Sequence, residues 1–164
     1  MTKLWKMLMF AAIVCGTVTC ASAWPVTQAC TPGFYKNHPQ FIIGTAKCLP
    51  PVGLSPTVLV SQVFSSVDAN SCVGQLTILG LLQSNTRACG AGGGSTLEGA
   101  EIILLRQAIT RMLNATNSVD ACWAARNARN ATNNAIASDN LDTIKHQGTL
   151  FSNLNNDNPC TLGD

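Results

Sequence analysis

The sequence predicts a mainly α domain of four or five helices, with an irregular amino-terminal segment and three disulfides. Apolar residues recur at helical spacing through most of the chain after residue 55. Pro, Gly and aromatic residues crowd positions 24–51 without a period, which is typical of irregular backbone. Six cysteines are spread over residues 30–160, and an even number in an exported chain indicates a disulfide framework.

The amino terminus has the three parts of a secretory signal peptide. Two lysines precede a short apolar run over residues 7–18, and Ala21-Ser22-Ala23 supplies small residues at a cleavage site. The run is shorter than the roughly 20 apolar residues of a spanning helix, so an uncleaved anchor is the weaker alternative. A lipoprotein acylated at Cys20 is weaker still, because the preceding residue is Thr rather than Gly, Ala or Ser. We expect residues 1–23 to be removed and 24–164 to form one secreted domain.

Cleavage would leave a chain without excess charge. The whole sequence holds ten Lys and Arg against eight Asp and Glu. Lys3 and Lys6 lie in the signal peptide, so eight basic residues remain against eight acidic ones. Binding to nucleic acid or to an anionic membrane draws most of its free energy from an excess of Lys and Arg on one face. We therefore expect neither as a partner of the mature protein.

The cysteines of the mature chain fit disulfides better than a metal site. They are Cys30, Cys48, Cys72, Cys89, Cys122 and Cys160. No two of them have the close spacing that zinc ligands show, and only His38 and His146 could supplement them. We expect six oxidised cysteines, no metal and no other cofactor.

The pairing of these cysteines is expected to tie the amino-terminal segment to the tail. The expected bonds are Cys30–Cys160, Cys48–Cys72 and Cys89–Cys122. The least expected bond is Cys72–Cys89. A helix between the two would hold their Cα atoms beyond the roughly 7 Å that a disulfide allows, unless the chain doubles straight back.

Two short helices are expected in the first half of the domain. Ser55-Pro56 places an N-cap residue before a proline at the first helical position, which predicts a helix over about 56–65. Apolar residues at every third or fourth position predict a second helix over about 73–83, with a strand pair as the alternative. The glycine-rich stretch 90–94 lacks the Lys-Ser/Thr ending of a phosphate loop, so we interpret it as a linker.

A central helix is expected after this linker. Ser95-Thr96-Leu97-Glu98 has the capping-box pattern, in which the Ser95 hydroxyl accepts from the amide of Glu98. Four consecutive apolar residues at 102–105 indicate a helix that is buried over more than one face and runs to about Leu113. Glu98 and Glu101 could be drawn as a carboxylate pair for glycoside hydrolysis. Because they lie three residues apart on one helix, they are more simply explained as negative charges that interact favourably with its positive amino-terminal end.

Two further helices and a loop complete the prediction. The fourth helix begins at Ser118-Val119-Asp120-Ala121. Its inward residues are expected to be Cys122 and Trp123, and its outward residues Arg126, Arg129, Asn130 and Asn133. Asp139 can cap a fifth helix. An Asn-rich loop is expected to follow over residues 153–164.

The residues that most resemble a functional motif are Tyr35, Lys36, Asn37 and His38, which lie between aromatic residues and prolines. A functional interpretation makes His38 a base or ligand with Lys36 beside it. The structural interpretation is favoured, because adjacent residues seldom converge on one reacting atom. The imidazole of a histidine next to proline also often donates its hydrogen bond to a backbone carbonyl.

This segment resembles a signature of secreted, mostly bacterial proteins. Residues 30–39 read CTPGFYKNHP, against Cys-x-x-Gly-(Tyr/Phe)-Trp-Lys-(Asn/Thr)-His-Pro in that group, with Tyr35 where the group usually shows Trp. Gly-Gly and a helix similar to Leu-Ala-Arg-Gln…Leu-Asn follow in the group, and here residues 92–94, 104–107 and 113–114 correspond. The resemblance implies an extracellular helical domain and supplies no catalytic residue.

Three functions remain open on the sequence alone. The first is an extracellular or cell-surface structural or interaction protein, whose partner is protein, glycan or a second copy of itself. The second is a secreted hydrolase with a site around Lys36 and His38. The serines lie outside any Gly-x-Ser-x-Gly elbow, which disfavours a serine triad. The third is a small-molecule carrier with a cavity among the helices.

Overall fold

Helices dominate the part of the chain that the computed structural model describes, which is residues 30–44, 48–115, 121–157 and 160. The signal peptide and cleavage site expected over residues 1–23 lie outside these residues. Within them the α-helices are α1 (Pro32–Asn37), α2 (Val60–Val63), α3 (Ile78–Gln83), α4 (Leu97–Ala115), α5 (Ala121–Ala137) and α6 (Leu141–Asn156). Single 3₁₀ turns lie at Pro39–Phe41 and Ala88–Gly90. The expected mainly α class is confirmed, with six helices in these residues instead of four or five.

Helix α4 is the centre of the domain, as the apolar run at 102–105 predicts. It packs mainly against α5 and α6 and also contacts α1 and α3. Residues on all sides of it are buried, including Ile102, Leu105 and Ile109. Gly148 of α6 lies against the backbone of Leu104, so these two helices approach closely. A helix that is apolar and buried on all sides belongs in the core, where packing against the neighbouring helices stabilises it.

The helix caps differ from the expected ones by a single residue. The N-cap of α4 is Thr96, whose hydroxyl accepts from the amide of Gly99 (3.2 Å), so the capping box predicted from Ser95 to Glu98 is wrong. The N-cap of α6 is Asn140, whose side chain accepts from the amide of Thr143 (2.9 Å). Asp139, the expected cap, instead adopts a left-handed backbone with φ 49° in the turn before it.

The two short helices are shorter than expected because the chain before each one is extended. Leu59 and Thr77 form an isolated antiparallel bridge. The amide of Val60 donates to the carbonyl of Leu76 (2.9 Å), and the amide of Ile78 donates to that of Val58 (2.8 Å). The helices expected over 56–65 and 73–83 are therefore reduced to α2 and α3. Strand-like pairing of these two segments is limited to the bridge between Leu59 and Thr77.

Helix α5 presents a different face to the core than expected. Its described residues begin at Ala121, so the predicted start at 118–120 lies outside the description. Trp123 is 54% exposed, and the expectation that it faces inward is wrong. Ala124, Ala125 and Ala128 are buried in its place, because small side chains allow α5 to approach α4.

The outward arginines of α5 fasten a neighbouring loop. Arg126 Nε donates to the carbonyl of Cys48 (3.0 Å), and Arg129 Nη1 donates to that of Pro50 (2.9 Å). Asn130 is exposed as expected. Asn133 is half-buried, and its Oδ1 accepts from the amide of Ser66 (3.3 Å).

Helix α6 extends beyond its expected end. The Asn-rich loop was expected from residue 153, but the helix continues to Asn156. Asn155 explains the extension, because it is almost completely buried and its side chain is hydrogen-bonded to α4.

Three disulfides are present, as expected, but only one of the expected pairs is correct. The bonds are Cys30–Cys160, Cys48–Cys122 and Cys72–Cys89, with Cα separations of 4.5, 4.3 and 5.5 Å. The first confirms the expected tie between the signature segment and the tail. The pairs Cys48–Cys72 and Cys89–Cys122 are wrong, and the least expected pair is present. The bonds are nested in sequence, with Cys72–Cys89 inside the interval of Cys48–Cys122 and that interval inside Cys30–Cys160.

The short length of α3 explains the Cys72–Cys89 bond. The helix occupies only 78–83, and the chain after it returns far enough to bring the Cα of Cys89 to 5.5 Å from that of Cys72. The amide of Ala88 donates to the carbonyl of Asn85 (3.0 Å) in that return. The chain therefore doubles back after α3, which is the condition under which this pair can form.

Candidate functional site

The signature segment folds as a short helix, which corrects the expectation of irregular backbone for residues 32–37. Thr31 is the N-cap, and its hydroxyl accepts from the amide of Phe34 (3.3 Å). Pro32 occupies the first helical position, where its missing amide proton is not needed. The helix ends at Asn37, and His38 is its C-cap, immediately before Pro39. Local sequence therefore sets both ends of α1.

The His38 side chain is packed against its own helix. Its imidazole stacks on the Phe34 ring, with centroids 4.5 Å apart and planes inclined by 19°. Its Nδ1–H donates to the carbonyl oxygen of Phe34 (3.0 Å), which also accepts from the His38 backbone amide (3.0 Å). Phe41 lies beside both rings, with its centroid 5.6 Å from that of Phe34 and 6.3 Å from that of His38. The ring is half-buried in an aromatic cluster.

Tyr35 points in the opposite direction, into the core. Its side chain is 1% exposed, and its hydroxyl donates to Oδ1 of Asn114 on α4 (2.9 Å). The same Oδ1 accepts from the backbone amide of Cys30 (3.1 Å). Nδ2 of Asn114 donates to the carbonyl of Cys30 (2.9 Å). Burial of the Tyr35 hydroxyl raises its pKa well above the usual range, so this group is a neutral donor.

The network continues from Asn114 to α6. Nδ2 of Asn114 donates to Oδ1 of Asn155 (3.2 Å). Nδ2 of Asn155 donates to the backbone carbonyl of Gln107 (3.0 Å) and to its Oε1 (2.9 Å). Asn114 and Asn155 are each 1% exposed. A buried amide with its donors and acceptors paired fixes one arrangement of the elements around it, and here those elements are α1, α4 and α6.

The four motif residues do not converge on one point. Tyr35 contacts Asn114 in the core, and His38 lies on the aromatic cluster. Lys36 and Asn37 are exposed. A nucleophile, a base and a group that orients the base need to lie within hydrogen-bond reach of one another. The observed arrangement instead joins the amino-terminal segment to α4 through Tyr35.

Asn114 is the residue at this site that the sequence did not reveal. In the sequence it belongs only to the resemblance, as part of the Leu-Asn pair at 113–114. A polar side chain next to Met112 and Leu113, on a helix buried on all sides, was the available signal. A buried amide needs partners, but its partners are 84 and 41 residues away in sequence. No local pattern could have named them.

A second group of polar residues lies at the start of α4. Burial raises the pKa of the Glu101 carboxyl, and the negative charges of Glu98 and Asp139 raise it further. Glu98 is exposed in the first turn of the helix, which suits the positive end of the helix dipole. Within the described residues, no three His, Cys, Asp or Glu side chains come together as metal ligands.

The fold and this motif define a small, disulfide-crosslinked, mainly α domain. Three disulfides indicate an oxidising compartment, because cytosolic thiols are kept reduced. No helix in the described part of the chain is both long and apolar enough to cross a membrane. Comparison of the sequence with protein-family models and curated proteins, and with solved structures, gives no match.

Proposed function

We propose that this protein is an extracellular or cell-surface structural or interaction protein that also associates with itself, secreted after cleavage of residues 1–23. The observation that carries the proposal is the hydrogen bond between Tyr35 and Asn114 in the core. The segment that most resembles a functional motif is used to close the fold. We therefore assign the function to the exposed surface of the disulfide-crosslinked domain.

The exposed face of α5 is the surface that suits this role. Trp123, Arg126, Asn130 and Asn134 are exposed and lie at intervals of three or four residues, which places them along one side of the helix. Trp and Arg are enriched where proteins meet other proteins. Amide side chains both donate and accept, so they suit hydroxyl-rich glycans as well as peptide groups.

The sequence composition of α5 supports the same surface. Asn is a weaker helix former than Ala, because its side chain competes for backbone hydrogen bonds. Asn130 and Asn134 nevertheless occupy exposed positions inside the helix, where packing does not select the residue. Residues that lower helix stability without a packing reason are typical of surfaces kept for function.

The test is purification of the secreted protein, followed by light scattering after size exclusion and by electron microscopy for assemblies. We expect assemblies, or retention on the cell surface, that Trp123→Ala weakens at least about tenfold, the size of a lost hot-spot contact. Leu150→Ala is the matched control, because Leu150 is a 42% exposed apolar residue on α6. A protein that stays monomeric at high concentration and binds neither cells nor extracellular glycan would contradict the proposal.

The hydrolase alternative is tested in the same preparation. Ester, amide and glycoside substrates are assayed with the parent and with Lys36→Ala, which changes an exposed side chain and leaves the core untouched. Turnover in the parent that disappears in Lys36→Ala, with an unchanged melting temperature, would favour a hydrolase and overturn the proposal. No turnover in either protein supports the interaction role.

A further inference from the structure

We propose that the Cys72–Cys89 disulfide is a site of thiol–disulfide exchange, which an external dithiol opens while the other two disulfides stay closed. The proposal is independent of the interaction surface on α5. It rests on the exposure of this disulfide and on the backbone conformation of Cys89.

Access to the three disulfides differs. Cys72 and Cys89 are both exposed. In each of the other bonds one partner is buried, with Cys30 0% and Cys48 6% exposed, and the second partner is half-buried. A thiolate has to reach a sulfur atom to attack it, so the rate of exchange depends on access. Cys72–Cys89 is the disulfide that offers such access at both ends.

The backbone of Cys89 is held in an unfavourable conformation. Its φ is 60° and its ψ is 19°, in the left-handed region that residues with a Cβ rarely adopt. Gly90 follows with φ 79°, so two consecutive residues are left-handed. Glycine adopts this conformation at no steric cost, but cysteine does not. Strained or exposed disulfides are the labile ones, and this disulfide combines an exposed position with a strained cysteine backbone.

Opening this bond would change the structure locally. The ring that it closes contains α3, whose Ile78, Leu81 and Leu82 are fully buried in the core. These contacts do not depend on the disulfide, so α3 stays in place. Reduction would instead release residues 84–90, the return path between α3 and the glycine-rich stretch before α4. The bond therefore controls one surface segment rather than the fold.

The reaction is an ordinary two-electron reduction. A thiolate of the dithiol attacks one sulfur of the pair, and the S–S bond breaks as a mixed disulfide forms. The other protein sulfur leaves as a thiolate and takes up a proton. The second thiol of the reductant then displaces the remaining protein sulfur. The dithiol ends as a disulfide, and the protein gains two electrons, two protons and two free thiols.

Graded reduction of the folded protein tests this proposal. Purified protein is equilibrated with increasing dithiothreitol, quenched with acid, alkylated and mapped by mass spectrometry. We expect Cys72 and Cys89 to be labelled together at a dithiothreitol concentration at least about tenfold lower than the other four cysteines require. Labelling of another pair first, or of all six cysteines at one concentration, would overturn the proposal.

The double variant Cys72→Ser/Cys89→Ser is the second measurement. If the selectivity belongs to this site, the first labelling step disappears and the remaining disulfides open at the same dithiothreitol concentrations as in the parent. If Cys30–Cys160 or Cys48–Cys122 instead opens at the low concentration, the third bond was protecting them and the proposed local switch is wrong. The parent mapping decides the question even if this variant folds poorly.

Discussion

Replacing Asn114 by Ala should be the most damaging single amide substitution in this protein. The Asn114 side chain accepts from the Cys30 amide and the Tyr35 hydroxyl, and it donates to the Cys30 carbonyl and to Asn155. All three partner residues are at most 1% exposed. Alanine would leave two donors and two acceptors unpaired where water does not reach. Each unpaired buried group costs about 1–3 kcal/mol, so a loss of about 4 kcal/mol is the conservative expectation.

A loss of this size is a large share of a typical unfolding free energy of about 5–15 kcal/mol. For a domain of this length it corresponds to a fall in melting temperature of roughly 10–15 °C. Urea unfolding followed by circular dichroism measures the free energy directly, provided that the disulfides stay oxidised.

Tyr35→Phe is the matched control for this prediction. It removes one donor and leaves Asn114 bonded to Cys30, so the expected loss is about 1 kcal/mol. The reasoning would be refuted if Asn114→Ala fell within about 1 kcal/mol of the parent, or if Tyr35→Phe were the more damaging of the two. Either result would mean that the amide network contributes little to closing the fold.

Four further predictions follow from the sequence and the structure. His38→Ala should lower stability by about 1–2 kcal/mol in calorimetry, because the Phe34 carbonyl loses a donor and the ring stack is lost, whereas exposed Lys36→Ala should stay within about 0.5 kcal/mol. The raised pKa of Glu101 means that the folded state binds the Glu101 proton more tightly than the unfolded state does. The contribution of this proton to folding stability is complete below the ordinary Glu pKa and is lost as pH rises through the raised value. Glu101→Gln should therefore melt higher than the parent at about pH 8 and show no such gain at about pH 4; equal differences at both would contradict this. Intact mass should show that the mature chain begins at Trp24, and retention of Met1 would exclude cleavage there. Titration of the denatured, unreduced protein should find essentially no free thiol.

The sequence predicts the long helices well, because each carries its own periodic pattern. Helices α4, α5 and α6 are present close to where apolar spacing places them. Their caps are less certain from sequence, since Ser95 and Thr96 are both good caps, as are Asp139 and Asn140. The choice depends on where the preceding chain arrives. At α4 the Thr96 hydroxyl also donates to the carbonyl of Gly93 (3.0 Å), a contact that Ser95 does not make.

Other features depend on contacts that are distant in sequence. Trp123 of α5 is exposed although we expect it to face inward, because the close packing of α5 on α4 places alanines on the buried face. The pairing of cysteines depends on the path of the chain after α3, which no local pattern encodes. Within the motif at residues 35–38, Tyr35 is hydrogen-bonded to Asn114, which lies on another helix and is 79 residues away in sequence.

The nested order of the disulfides has a consequence for how the protein can be made. A chain that emerges amino terminus first into an oxidising compartment presents its cysteines one after another. Joining each to the one before it would give Cys30–Cys48, Cys72–Cys89 and Cys122–Cys160, of which one is native. Native protein therefore requires either a disulfide isomerase or helices that assemble before the outer cysteines are oxidised. Yield should depend on the isomerase supply of the host more than on its oxidant.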